Sequence, residues 1–171
     1  ATNHIDKWSH ISDGNASDVG DLTRATRYTS GQSSATYGYT SGGHPASQNN
    51  IDKYSFSADG NATDVADLAV AQYGPSGCAS AAYGYVISGN DPVAYRTDIE
   101  KFSFTTEANA VDVGNLTGVG YASSATASTT HGYRAGGIHG GSYKNIIDKW
   151  AFASDGTATD VGDLTVARQD T

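Results

Sequence analysis

The sequence predicts an all-β repeat protein made of short strands, on three observations. One phrase recurs four times: "IDKWSHISDGNASDVGDLTRAT" at 5–26, "IDKYSFSADGNATDVADLAVAQ" at 51–72, "IEKFSFTTEANAVDVGNLTGVG" at 99–120 and "IDKWAFASDGTATDVGDLTVAR" at 147–168. Within it, side chains alternate with the two-residue period of a strand, not the 3.6 of a helix. The composition, with 21 Gly, 11 Tyr and no Met, favours many short strands in tight sheets over a Leu-rich helical core. At 171 residues the chain has the length of one domain with a buried core, and the regular placement of its apolar residues argues against disorder.

The repeat anchors are Ile5, Ile51, Ile99 and Ile147, spaced by 46, 48 and 48 residues. Self-similarity at this period indicates a solenoid, a propeller or an array. In "IDKYSFS", Asp52, Tyr54 and Phe56 share one strand face and Ile51, Lys53 and Ser55 the other. Asp13-Gly14, Asp59-Gly60 and Asp155-Gly156 supply residues that accept positive φ, the requirement of a tight hairpin turn. "TTEANA" lacks that glycine, which predicts a looser third hairpin. "ATDVGDL" then returns as the next strand, with Val65 and Leu68 as its apolar positions in the second copy. A second motif follows 34 residues after each of the first three anchors, counted to its tyrosine: "YGYTSGG" at Tyr39, "YGYVISG" at Tyr85 and "HGYRAGG" at Tyr133. The expected organisation is a single repeat domain over 1–171, four strands to a unit, with units near 1–50, 51–98, 99–146 and a partial one at 147–171.

Charge and motif content narrow the function. The formal charge is −8 without a basic run, which disfavours nucleic-acid binding and adhesion to anionic membrane. No stretch approaches the roughly 20 apolar residues of a membrane helix, and the N-terminus, without a charged n-region or an apolar h-region, is expected to carry no signal peptide in this form. The single cysteine, Cys78, excludes an intrachain disulfide and a cysteine-based zinc cluster and reads as a small hydrophobe. "DGNASDVGD" and its copies are rich in Asp and Asn oxygens but lack the terminal Glu of an EF-hand loop, so turn formation is the better reading. His4, His10, His44, His131 and His139 form no ligand pair, and neither GxSxG nor GxxxxGK[ST] occurs. The expectation is no enzyme, no metal and no cofactor. The sequons at Asn15, Asn61 and Asn115 are read as parts of the scaffold without glycans.

The scaffold repeats while the loops do not. "HPASQNN" at 44–50, "NDPVAYRTD" at 90–98 and "IHGGSYKNI" at 138–146 vary in length and sequence, and such segments carry binding specificity in repeat proteins. His44, Tyr95, Arg96, His139, Tyr143 and Lys144 are therefore the candidate ligand-binding residues, able to stack on sugars or pair with carboxylates.

Taken together these motifs resemble the kelch repeat. Gly42-Gly43 and Gly136-Gly137 match its diglycine, with Ser88-Gly89 as a departure; Trp8, Tyr54, Phe102 and Trp150 take its aromatic place; Arg168 matches its arginine, where Gln72 and Gly120 do not. The kelch tryptophan of the last strand is replaced by Val19, Val65, Val113 and Val161 nearby. The whole chain is similar to kelch-like repeats in structural and tail-fibre proteins of marine bacteriophages. The resemblance implies a β-propeller of four-stranded blades in an extracellular or virion setting. Four copies of the phrase against three of the second motif make about three and a half blades, below the about four to eight of a closed ring. Completion by oligomerisation, or truncation from a longer ring, is expected over a small ring closed by "ATNH" and "ARQDT". The implied partners are other copies of the chain, other virion proteins and a host-surface glycan.

Overall fold

The computed structural model describes residues 1–169. The regular elements among them are all strands, in four antiparallel groups. β1 (Thr2–Lys7) and β2 (Ser17–Thr26) form a two-stranded hairpin. β3 (Ser30–Ser33), β4 (Tyr37–Ser41), β5 (Gln48–Ser55) and β6 (Thr63–Gln72) follow as sheet I, in chain order. β7 (Ser76–Ala79), β8 (Tyr83–Asn90), β9 (Tyr95–Ser103) and β10 (Val111–Asn115) form sheet II. In sheet III, β11 (Ser124–Ala127), β12 (His131–Ala135), β14 (Ser142–Ala151) and β15 (Thr159–Arg168) pair in that order, and the short β13 (Ile138–His139) folds back on the start of β14.

Each copy of the phrase supplies the outer hairpin of a group, and the tyrosine motif supplies the strand that pairs with the phrase following it. Tyr39 thus lies opposite Lys53, Tyr85 opposite Lys101 and Tyr133 opposite Lys149. Every four-stranded sheet consequently spans one of the unit boundaries at 50/51, 98/99 and 146/147. The first copy of the phrase has no tyrosine motif ahead of it and forms the two-stranded hairpin alone. The inner strands touch in series, β3 beside β7 and β7 beside β11, and no closed ring forms among the described residues.

The core lies between sheets, not within one. Tyr39, Ile51 and Leu68 of sheet I meet Val86, Phe102 and Ala110 of sheet II. The same arrangement recurs where Tyr85, Ile99 and Leu116 meet Trp150 and Ala158. Tyr39 stacks on Phe104 at 4.9 Å and Tyr85 on Phe152 at 4.7 Å, contacts that add to the area they bury. The glycine before each tyrosine has a reason in the same sheet. A Cβ on Gly38, Gly84 or Gly132 would overlap the ring of Tyr54, Phe102 or Trp150 on the neighbouring strand. Ser88 stands in the first diglycine position of sheet II and adopts φ 53°, the left-handed conformation that Gly42 and Gly136 take elsewhere.

The Asp-Gly pairs do not form tight turns. Residues 56–62, 104–110 and 152–158 connect the hairpin strands with equal length, so the missing glycine does not lengthen the third loop. These loops are long because they dock on the preceding group. The amides of Gly60 and Ala62 donate to the carbonyls of Val19 and Asp21, each at 2.8 Å, and those of Gly156 and Ala158 to Val113 and Asn115, each at 2.7 Å. The Asn61 side chain accepts from the Asp21 amide, and Asn109 from that of Asp67, both at 3.0 Å. Lysines close the contact: Lys7 pairs with Asp59, Lys53 with Glu107 at 3.0 Å and Lys101 with Asp155 at 2.5 Å. The sequon side chains of Asn61 and Asn115 are thereby engaged in scaffold bonds, Asn115 accepting from the Thr97 hydroxyl at 2.7 Å.

One packing test follows. Gly84→Ala forces a methyl into the Phe102 ring, whereas Gly31→Ala meets nothing within 4 Å. Overpacking of this kind costs about 1–3 kcal/mol. Urea unfolding should show that loss for Gly84→Ala and a change within about 0.5 kcal/mol for Gly31→Ala.

Candidate ligand-binding face

A concave aromatic surface sits where the chain passes from one group to the next. Tyr73 and Tyr121 occupy the same repeat position, just ahead of β7 and β11; Arg27 holds it ahead of β3, and Tyr28 follows one residue on, at the positive-φ position of Gly74 and Ala122. The Gly74 amide donates to the Tyr28 carbonyl at 2.8 Å and the Ala122 amide to the Gly74 carbonyl at 3.0 Å, so the three connectors are bonded to one another. Together with Pro75, Ser123 and Gln169, the tyrosines line a groove of about 430 Å³. That volume falls within the range of small-molecule sites, which combine apolar walls with a few polar groups. Tyr28 is 63% exposed, and Arg27 lies over its ring at 5.4 Å.

The aromatic surface extends beyond the groove. His44 meets Tyr73 edge-on at 5.7 Å, Tyr73 meets Tyr121 at 6.2 Å, Tyr121 stacks on Tyr95 at 5.6 Å, and Tyr95 meets His139 edge-on at 4.9 Å. Five rings from three sheets and their connectors thus form one run. Isolated bridges hold it in register, joining Arg27 to His44, Tyr73 to Asn90 and Tyr121 to Ile138. The Asn90 side-chain amide donates to the Tyr73 hydroxyl at 2.6 Å and fixes that ring.

Three of the loop residues singled out in the sequence, His44, Tyr95 and His139, therefore meet in one run. Arg96 neighbours Tyr95 but turns to its own sheet, its Nε donating to Asp98 at 2.7 Å and its Nη1 to Asp91 at 3.3 Å. Tyr143 and Lys144 lie on the β13–β14 hairpin, Tyr143 opposite Ile138 and 56% exposed, outside the run of rings. The tyrosines that join the run escaped the loop comparison because they repeat, and repetition marks scaffold. Their signal was a tyrosine at one fixed position, 22 residues after Ile51 and Ile99, ahead of "GPSG" and "ASS", where the first copy has Arg27.

Buried ionisable groups are the other place for chemistry, and they are engaged in cross-sheet bonds. Asp52, Glu100 and Asp148 hold equivalent positions on β5, β9 and β14, each no more than 2% exposed. Asp52 accepts from the Thr23 amide at 2.9 Å and its hydroxyl at 2.6 Å, Glu100 from the Ala69 amide at 2.6 Å, and Asp148 from the Thr117 hydroxyl at 2.5 Å. The residue across the sheet from each differs: Thr40, Val86 and Arg134 respectively. Arg134 bonds Asp148 at 3.3 Å with both side chains fully buried. Opposite Val86, Glu100 has no such cation, and burial pushes its carboxyl up to about 7. Cys78 is buried beside these strands and desolvation pushes its thiol up to about 12, which makes it a packing residue. Among the described residues no three His, Cys, Asp or Glu side chains converge as a metal site.

No family model matches the chain, and no curated protein matches it.

Glu100 gives stability a pH dependence of defined sign. In the unfolded chain its carboxyl ionises near 4.5, whereas the folded protein holds the proton to about 7. Rising pH therefore favours the unfolded state across that window, by about 3 kcal/mol in all. Urea midpoints should fall between pH 4.5 and 7, and Glu100→Gln should flatten the fall. A wild-type midpoint constant over that range would refute the assignment.

Proposed function

We propose that the chain is a non-enzymatic structural and recognition module, its sheets the blades of a kelch-like β-propeller in an extracellular or virion assembly. The groove beside Tyr28, Tyr73 and Tyr121, continued by His44, Tyr95 and His139, carries the recognition half of this reading. Tyrosine rings present flat apolar faces with hydroxyl tips, the chemistry that stacks on the C–H face of a sugar while bonding its hydroxyls. A surface glycan is accordingly the ligand class. Tyrosines from three successive connectors, Tyr28, Tyr73 and Tyr121, line one groove at the inner strands, which favours a single shared site over one site per sheet.

The structural half is supported by how the ionisable groups are employed. Asp52, Glu100 and Asp148 bond the preceding group, and Asp59, Glu107 and Asp155 pair with lysines across the same boundaries. The repeated acidic loops thus have a mechanical role. The kelch-like motifs, the serial contact of inner strands and four antiparallel strands per sheet agree with propeller blades.

A glycan array followed by titration of the best ligand tests recognition. Tyr28→Ala and Tyr73→Ala should each weaken binding by about tenfold, since a stacked aromatic contributes on the order of 1–3 kcal/mol. Tyr143→Ala should leave it within twofold. No retained glycan, or binding indifferent to both tyrosines, would remove the recognition half of the proposal.

A further inference from the structure

The contact between groups has a recurrent set of parts, complete between the β1–β2 hairpin and sheet I and between sheets II and III, and each end of the series carries one unmatched half. A group offers its lysine, the carbonyls of two strand residues, and a threonine or amide. The next group answers with an acidic side chain, two loop amides and a buried carboxylate. In sheet III the giving half is complete in kind. Lys149, Val161, Asp163 and Thr165 are the counterparts of Lys101, Val113, Asn115 and Thr117. The ammonium of Lys149 has no acidic partner among the described residues, and it borders an open groove of about 330 Å³. In the β1–β2 hairpin the receiving half is complete. Asp6, Asp13, Gly14 and Ala16 are the counterparts of Asp52, Asp59, Gly60 and Ala62, and all four are exposed.

Glycine and the aromatic residues identify what is missing. A Cβ on Gly20 would overlap the carbonyl of Gly60, and one on Gly114 that of Gly156, because the next loop lies directly on the strand. Gly162 holds the same position in β15, yet nothing lies within 4 Å of its Cβ site. It is a close-approach glycine with nothing approaching. Likewise Tyr39 and Tyr85 are buried under the aromatics of the next group, at 2% and 0% exposure, whereas Tyr133 is only half-buried. The residues that would cover Tyr133 by the same rule are the counterparts of Trp150 and Phe152, namely Trp8 and His10 of the first hairpin. Trp8 is 60% exposed.

We propose that sheet III of one copy of this chain binds the β1–β2 hairpin of a second copy. Lys149 then pairs with Asp13, the carbonyls of Val161 and Asp163 accept from the amides of Gly14 and Ala16, and Tyr133 packs on Trp8. Charge complementarity and continuity with the interfaces already inside the chain carry this proposal. It deepens the assembly role proposed above and rests on that reading only for its setting. The contact is heterologous, so it propagates or closes by rotation. Two copies joined at both ends make eight positions in a ring, six four-stranded sheets and two hairpins, which is at the upper end of the about four to eight blades of propellers.

Analytical ultracentrifugation of the full chain at about 1–100 μM reads the result. A discrete dimer is expected. Lys149→Glu and Asp13→Lys should each weaken it by roughly tenfold, and the double reversal Asp13→Lys/Lys149→Glu should restore it. Trp8→Ala should weaken it further, as removal of a central aromatic anchor does. Circular dichroism and a urea midpoint for each variant separate lost association from lost folding. A single-chain mass throughout the range overturns the proposal and leaves the two faces to further repeats of the same kind. An oligomer indifferent to both charge reversals and to Trp8→Ala overturns it equally. Glycan titration on the monomeric variants keeps the outcomes apart, because the tyrosine groove lies within one chain: binding without a dimer removes only the interface, and a dimer without binding removes only the recognition role.

Discussion

Everything in this chain depends on one recurrent contact, the docking of each hairpin loop on the outer strand of the group before it. A single sheet here has too few large apolar residues to make a core of its own, and burial is achieved only where two sheets face each other. The close approach requires glycine where backbone meets backbone, as at Gly20 and Gly114. It removes carboxylates from water, and these must then be satisfied by the neighbour's amides and hydroxyls. Packing, polar satisfaction and the period of the sequence are thus consequences of one geometry. Stability in such an array is a sum of intrinsic and nearest-neighbour parts, so each interface carries a share that no other can replace.

Much of the scaffold was legible because repetition turns weak local signals into a strong collective one. The strands, their fourfold grouping and the buried tyrosine motif follow from alternation and fixed offsets. The role of "DG" was not legible. An Asp-Gly pair signals a two-residue turn in an isolated hairpin, but here the loop takes its shape from a neighbour about 40 residues away in sequence, as the bond between Asn61 and Asp21 illustrates. The pairing of each phrase with the tyrosine motif ahead of it was equally hidden, since a period shows the length of a unit and says nothing of where the sheet begins.

The candidate site was legible only in part, for a related reason. His44, Tyr95 and His139 stood out because they break the repeat, and they do meet in space through Tyr73 and Tyr121. The latter two looked like scaffold. Residues repeated in sheets whose inner strands touch in series are brought side by side there, so repetition can assemble a site as readily as it conceals one. Variation among Thr40, Val86 and Arg134 is likewise silent until the cross-strand carboxylate is known, after which it decides whether that carboxylate faces a hydroxyl, a hydrocarbon or a cation.

The boundary between sheets I and II departs from the others in a linked pair of residues. Ala66 stands where Gly20 and Gly114 stand elsewhere, and Ala108 replaces the loop glycine that would lie on it. The Ala108 amide turns to Thr106 in its own loop, and one backbone bond across the boundary is forgone. Under tension or brief heating, the arc has a built-in tear line there. Sheets II and III would separate from sheet I as one cooperative block before parting from each other, and a protease would find its first foothold at that seam.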